Sequence, residues 1–135
     1  MAPTVFLTGA NSGVGLASTK FFLEKGWNVA ATVRNPDAAA ELQALKSIQG
    51  GGSLLVLTAD MLKPETIQPA IDEALLKFGQ VDVLVNNAGF AQYGVIEQLS
   101  MDAVRQQYEV NVFGRPFPRG YSTGVTNLHS GLRPR

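Results

Sequence analysis

A chain of 135 residues, 45% hydrophobic and 16% charged, has the make-up of one soluble globular domain and too little length for two. Eleven basic side chains balance eleven acidic ones, so no global field draws the protein to nucleic acid or to an anionic membrane. The absence of cysteine excludes a disulfide framework and a thiolate metal site, and no apolar run approaches the ~20 residues of a membrane helix. Met1-Ala2-Pro3-Thr4 carries neither the basic nor the apolar region of a secretory leader, which makes a cytoplasmic setting the expectation.

The first apolar run, TVFLT (4–8), is strand-like and meets glycines at once. GVGLASTKFFLEKG then sets Val14, Ala17 and Phe21 at helical spacing, with Gly26 as the stop. NVAATV (28–33) reads as the second strand. In NPDAAAELQALKSI (35–48), Asn35 is placed to cap a helix, Pro36 to take its first position and Asp37 to sit in its first turn. SLLVLTA (53–59) is a third strand, apolar throughout as a parallel strand covered on both faces requires.

IQPAIDEALLKFG (67–79) places Ile67, Ala70, Ile71, Ala74, Leu75 and Phe78 at helical spacing and stops at Gly79. An interior proline costs roughly 3 kcal/mol, so Pro69 predicts either a start near Gln68 or a kink there. VDVLVN (81–86) is a fourth strand. SMDAVRQQYEVNVF (100–113) is a fourth helix, with Ser100 as its cap, Val104, Tyr108 and Val112 on one face, and Asn111 as a buried polar group within it. Strand and helix alternate four times, which predicts a parallel sheet wrapped by helices on both faces and joined by right-handed crossovers. After Gly114 the pattern ends: no acid follows Glu109, while Arg115, Arg119, Arg133 and Arg135 stand beside Pro116, Pro118 and Pro134.

TGANSGVG (8–15) lies between the first strand and the first helix, where a glycine-rich phosphate site belongs. Gly9 suits the tight turn, Gly13 leaves room for backbone to approach a ligand, and Gly15 allows helix and strand to pack closely. Free amides at the helix start, with about half a positive charge from the helix dipole, would face a pyrophosphate. A P-loop is excluded, because no Gly-Lys-Ser/Thr follows.

TGANSGVG, Asp60 after the third strand, NNAG (86–89) after the fourth and VNVFG (110–114) in the fourth helix together resemble the short-chain dehydrogenase/reductase family, in spacing as well as in motif. The resemblance covers residues 4 to about 114. It implies a Rossmann-type doubly wound parallel α/β sheet, cut short after about four strand–helix units, with residues 1–114 as an incomplete dinucleotide-binding domain and 115–135 as an irregular tail. It implies that Gly9, Ser12, Gly13, Val14 and Gly15 bind the pyrophosphate and that Asn11 reaches the adenosine ribose phosphate. Asp60 and Met61 would contact adenine, and Asn86, Asn87, Ala88 and Gly89 would stabilise the sheet and line the nucleoside. Asn111 matches the asparagine of the family's Asn-Ser-Tyr-Lys tetrad, which holds a water in a proton relay. No metal is implied.

Cofactor choice has a physical handle. An acid at the end of the second strand would bind the 2′-hydroxyl of NAD and repel a 2′-phosphate, whereas an arginine accommodates the phosphate. ATVRNPD has Arg34 at that end and no acid before it, and Asp37 is accounted for as a first-turn residue. NADP over NAD is therefore the expectation.

The rest of the tetrad is not in these 135 residues. Glu97 stands four residues after Tyr93, Val112 after Tyr108 and Val125 after Tyr121, and the last lysine is Lys77, so no Tyr-x-x-x-Lys pair exists. Tyr121, Ser122 and His129 are proton-capable, but a segment without periodicity offers no rigid support for them. Three readings follow: an oxidoreductase moving hydride between NADP(H) and a small alcohol or carbonyl, impaired by truncation; a module that holds NADP without turnover; and an incomplete product without a stable fold. The missing strands would also leave VDVLV as an uncovered parallel edge, and the substrate wall and oligomer interface would be missing with them.

Overall fold

Five parallel strands form one sheet in the computed structural model, which describes residues 1–48 and 50–114 together with the backbone of Thr126–Asn127. The strands are β1 (Thr4–Thr8), β2 (Asn28–Val33), β3 (Leu54–Thr58), β4 (Val83–Val85) and β5 (Thr126–Asn127), in the spatial order β3-β2-β1-β4-β5. The helices are α1 (Gly13–Glu24), α2 (Ala40–Ala44), α3 (Ile67–Phe78) and α4 (Met101–Tyr108). β1 is central: Val5 stands opposite Val29 of β2 on one side and opposite Val83 of β4 on the other.

The unbroken apolar runs divide cleanly between two cores, because successive side chains of a strand point to opposite faces. Val5, Leu7, Val29, Ala31 and Val33 pack with Leu23 of α1 and Leu42 of α2. Phe6, Ala30, Leu57 and Leu84 face the other way, against Ile67, Ala70, Ile71, Ala74 and Phe78 of α3. Phe6, Leu7, Leu42 and Ile71 are fully buried, each a contribution of about 1.5–3 kcal/mol from removal of apolar surface from water.

Local chemistry explains most element ends. Ser100 caps α4 through its hydroxyl, which accepts from the Ala103 amide at 3.2 Å. Asn35 likewise accepts from the Asp37 amide at 3.1 Å, but the expected continuous helix over 35–48 is not formed. Residues Pro36–Ala38 make one 3-10 turn, the chain bends at Ala39 (φ −103°, ψ 48°), and α2 follows as a short helix ending in a second 3-10 turn, Leu45–Ser47. The bend allows both Ala39 and Leu42 to enter the core. α3 begins at Ile67, next to the expected start at Gln68, which leaves Pro69 as its third residue, where amides of a first helical turn lack intrahelical partners in any case.

Two expectations for the last helix are corrected. α4 ends at Tyr108 and the chain widens into a π-helical turn, Glu109–Phe113, closed by the Gly114 amide on the Glu109 carbonyl at 2.6 Å. Asn111 is exposed rather than buried, and so are Tyr108 and Val112; among the described residues of 100–113, Val110 of the π-helical turn is the hydrophobic residue that packs against the core. The edge beyond β4 also differs from expectation. Val83 pairs with Thr126 and Leu84 with Asn127, so a two-residue strand covers part of it. The remainder of the expected irregular tail, with Tyr121, Ser122 and His129, lies outside the described residues. Among the described residues no helix is long and apolar enough to cross a membrane.

Candidate functional site

The carboxyl ends of β1 to β4 open onto a cleft of about 950 Å³, at the crevice between β1 and β4 where the strand order reverses direction. Four chain segments wall it: Gly9 with Asn11–Val14 after β1, Val33–Asn35 at the end of β2, Ala59–Leu62 after β3, and Asn87–Phe90 after β4. Gln106 and Val110 add to the wall from the last helix.

The floor is a junction between the turns after β1 and β4. Thr8, buried to 1% exposure, accepts at its hydroxyl from the Asn87 amide at 3.1 Å and the Ala88 amide at 2.9 Å. Asn87 answers with its own side chain, whose Nδ2 donates to the Thr8 carbonyl at 3.1 Å and the Gly9 carbonyl at 3.0 Å. Glycine is required where these turns meet. Gly9 has φ +69°, and a Cβ there would lie 2.8 Å from Ala88 Cα. A Cβ on Gly15 would collide with the Gly9 carbonyl and with Asn87 Nδ2. Gly15 thus lets α1 start flush against the strand end.

The start of α1 is left open. Ser12 makes no side-chain capping bond and the first turn holds no acid, so its amides and the positive end of the helix dipole remain uncommitted. Gly13, at φ +51°, has open space where a side chain would stand. Arg34, exposed at the end of β2, makes no ion pair among the described residues.

Across the cleft the Asp60 corner is rigid. Its carboxylate accepts from the Leu62 amide at 3.0 Å, and its own amide donates to the Thr66 hydroxyl at 2.9 Å. That hydroxyl in turn donates to the Lys63 carbonyl at 2.7 Å. Asn111 reaches the cleft only indirectly: its Oδ1 accepts from the Phe90 amide at 3.0 Å while its Nδ2 donates to the Phe90 carbonyl at 2.8 Å. Among the described residues no group of three or more His, Cys, Asp or Glu is placed to hold a metal ion.

This strand order, with a glycine-rich turn after β1 and an Asn-Asn-Ala-Gly turn after β4 meeting at one cleft, agrees with the sequence comparison: the family model for short chain dehydrogenase matches residues 3–116. The chain belongs to the short-chain dehydrogenase family. The oxidoreductase YusZ of Bacillus subtilis, itself described as uncharacterized, is 38% identical over 109 residues, which are 80% of this chain and 38% of that one. A solved mutant of a Serratia marcescens short-chain dehydrogenase/reductase is 32% identical with a TM-score of 0.74, over 83% of this chain and 46% of that one. An alcohol dehydrogenase from Thermococcus sibiricus, solved in complex with 5-hydroxy-NADP, gives 28% identity and a TM-score of 0.77, over 84% and 48%. The chain therefore spans less than half the length of each.

Of the residues singled out from this family's pattern, Gly9, Asn11, Ser12, Gly13, Val14, Arg34, Asp60, Met61, Asn87, Ala88 and Gly89 line one cleft. Gly15, Asn86 and Asn111 do not. Gly15 supports the turn, Asn111 supports Phe90, and Asn86 has its Oδ1 buried without a hydrogen-bond partner among the described residues. Thr8 is the contributor that motif reading passed over. It stands at the head of the quoted TGANSGVG, but its partners are about 80 residues away. Phe90 and Gln106 carry no motif signal and enter the cleft through the loop and helix that bear them.

Proposed function

We propose that this chain is the nucleotide-holding part of an oxidoreductase of the short-chain dehydrogenase family, selective for NADP(H) over NAD(H), whose full-length form moves hydride between the nucleotide and a small alcohol or carbonyl compound. The observation that carries the nucleotide assignment is the pairing, in one cleft, of a helix start at Gly13 without a side-chain cap and a cation at Arg34 that has no ion-pair partner among the described residues. The pyrophosphate would lie on the first-turn amides of α1, over the space that Gly13 leaves open. Arg34 would take a 2′-phosphate and, having no acid beside it, offers little to a free 2′-hydroxyl. Asp60 and Met61 would flank the adenine, and Asn87 to Gly89 the nucleoside next to it. When bound, the nicotinamide supplies the hydride. The chain's own part is to bind, orient and exclude water; an Asn111 role in a proton relay, as the family pattern implies, would need its side chain to leave the Phe90 backbone groups it now holds.

A second reading, a module that binds NADP without turnover, is favoured by one fact: no tyrosine in these 135 residues has a lysine four positions later. A cytoplasmic location suits either reading, given a cysteine-free chain.

Titration of the 135-residue chain with NADPH and with NADH, followed by nucleotide fluorescence, tests the proposal. Wild type should favour NADPH, and Arg34→Asp should reverse the order by removing a charge-assisted contact of about 1.5–3 kcal/mol. An unchanged affinity ratio in the variant would refute the role of Arg34, and absence of binding by either nucleotide would refute the assignment as a whole. Consumption of NADPH with a panel of aldehydes and ketones separates the two readings.

A further inference from the structure

We propose that Gln107 is a positioning residue for the cleft: with Asn111 it forms a two-rung clamp that fixes the loop bearing Phe90 to the last helix. Residues 86–95 contain no helix and no strand, yet this loop makes one wall of the cleft. Side chains from outside it hold its amides in place. Thr8 takes those of Asn87 and Ala88, Asn111 takes that of Phe90, and Gln107 Oε1 accepts from the Gln92 amide at 2.7 Å.

Gln107 lies in the last turn of α4 and Asn111 in the π-helical turn that continues it, and the side chains of both reach the same loop. On the loop, the Phe90 and Gln92 amides are the two that these side chains accept from. Gln107 pairs with Gln92 and Asn111 with Phe90, in reverse order, so that loop and helix run antiparallel with one side chain for each of these two amides. Gln107 is half-buried between the exposed Gln106 and Tyr108, as a side chain turned toward the loop should be. Neither clamp residue lines the cleft, but Phe90, Gln106 and Val110 all do, so the rungs set the distance between two parts of the same wall. The positional claim needs no ligand; its effect on nucleotide binding rests on the function proposed above.

Amide hydrogen exchange by NMR on the 135-residue chain tests it, comparing wild type with Gln107→Met and Gln107→Glu. Methionine keeps the length and helix preference but has no comparable acceptor, whereas glutamate keeps the acceptor oxygen. In Gln107→Met the Gln92 amide should exchange roughly three- to tenfold faster, with β1 amides unchanged, and Gln107→Glu should restore protection. NADPH affinity should follow the same order. Unaltered Gln92 exchange in Gln107→Met overturns the proposal, and so does an equal acceleration across β1 to β3, which would report loss of global stability. If wild type binds no NADPH, the functional assignment fails while Gln92 exchange still decides the clamp.

Discussion

Thr8→Val is the sharpest probe of how the cleft is held together. Valine is nearly isosteric with threonine and keeps its β-branched preference for the strand, so neither a cavity nor a change in propensity complicates the result. What disappears is one acceptor serving two amides, those of Asn87 and Ala88, at 3.1 and 2.9 Å, and a long donated bond to the Val85 carbonyl at 3.5 Å. Each such bond is worth about 0.5–1.5 kcal/mol net, and both amides are only partly buried, so the loss should be about 1–3 kcal/mol. For a domain of this size that is a fall in Tm of roughly 4–12 °C. Thermal unfolding followed by far-ultraviolet circular dichroism measures it, with Thr8→Ser as the control that keeps the hydroxyl. Nucleotide affinity should fall in parallel, because the Asn87–Phe90 wall loses its inner anchor. If valine were tolerated as well as serine, the hydroxyl would not be the link between the two turns.

Gly15→Ala should be among the most damaging single-methyl changes in the chain, since the new Cβ meets backbone at Gly9 as well as a side chain at Asn87; soluble yield and Tm check this, and should fall further than in Gly13→Ala, where the strain is only that of a positive φ. Leu42→Ala should cost about 2–5 kcal/mol, because Leu42 is fully buried in the core and denaturant midpoints would show whether the short α2 contributes this much. Pro69→Ala should change stability by less than about 1 kcal/mol, since the ring sits in the first turn of α3; a gain near 3 kcal/mol would mean that the proline strains the helix interior.

Periodic features were legible from the residues alone. Both cores follow from strands whose inner positions are apolar on both faces, and Asn35 and Ser100 cap as their chemistry predicts. What was not legible depends on contacts made at a distance. Nothing near Ala39 signals a bend, because three successive alanines favour continued helix and only the pull of the core on Ala39 and Leu42 separates the two turns. The sequence pattern points to Asn111 but implies a buried setting for it. Its actual partners, both backbone groups of Phe90, belong to a loop with no pattern of its own. Gln107 gave no signal at all, being one of two adjacent glutamines in a polar stretch, and only the fold distinguishes the one that faces the cleft from the one that holds the loop.

The central position of β1 has a kinetic consequence. β1 and β2 are separated by a single helix and can pair early, and β3 can add to them through connections of similar length. β4 cannot join until the chain closes a far larger loop: Thr4 meets Asp82 across 78 positions, and Thr8 meets Ala88 across 80. Loop closure of that size is paid before its contacts form, so docking of β4 should limit the folding rate. A chain caught before that step would present three paired strands and an exposed glycine-rich turn with only half a cleft beneath it. Nucleotide added during refolding should therefore bind after the slow phase and leave its rate unchanged.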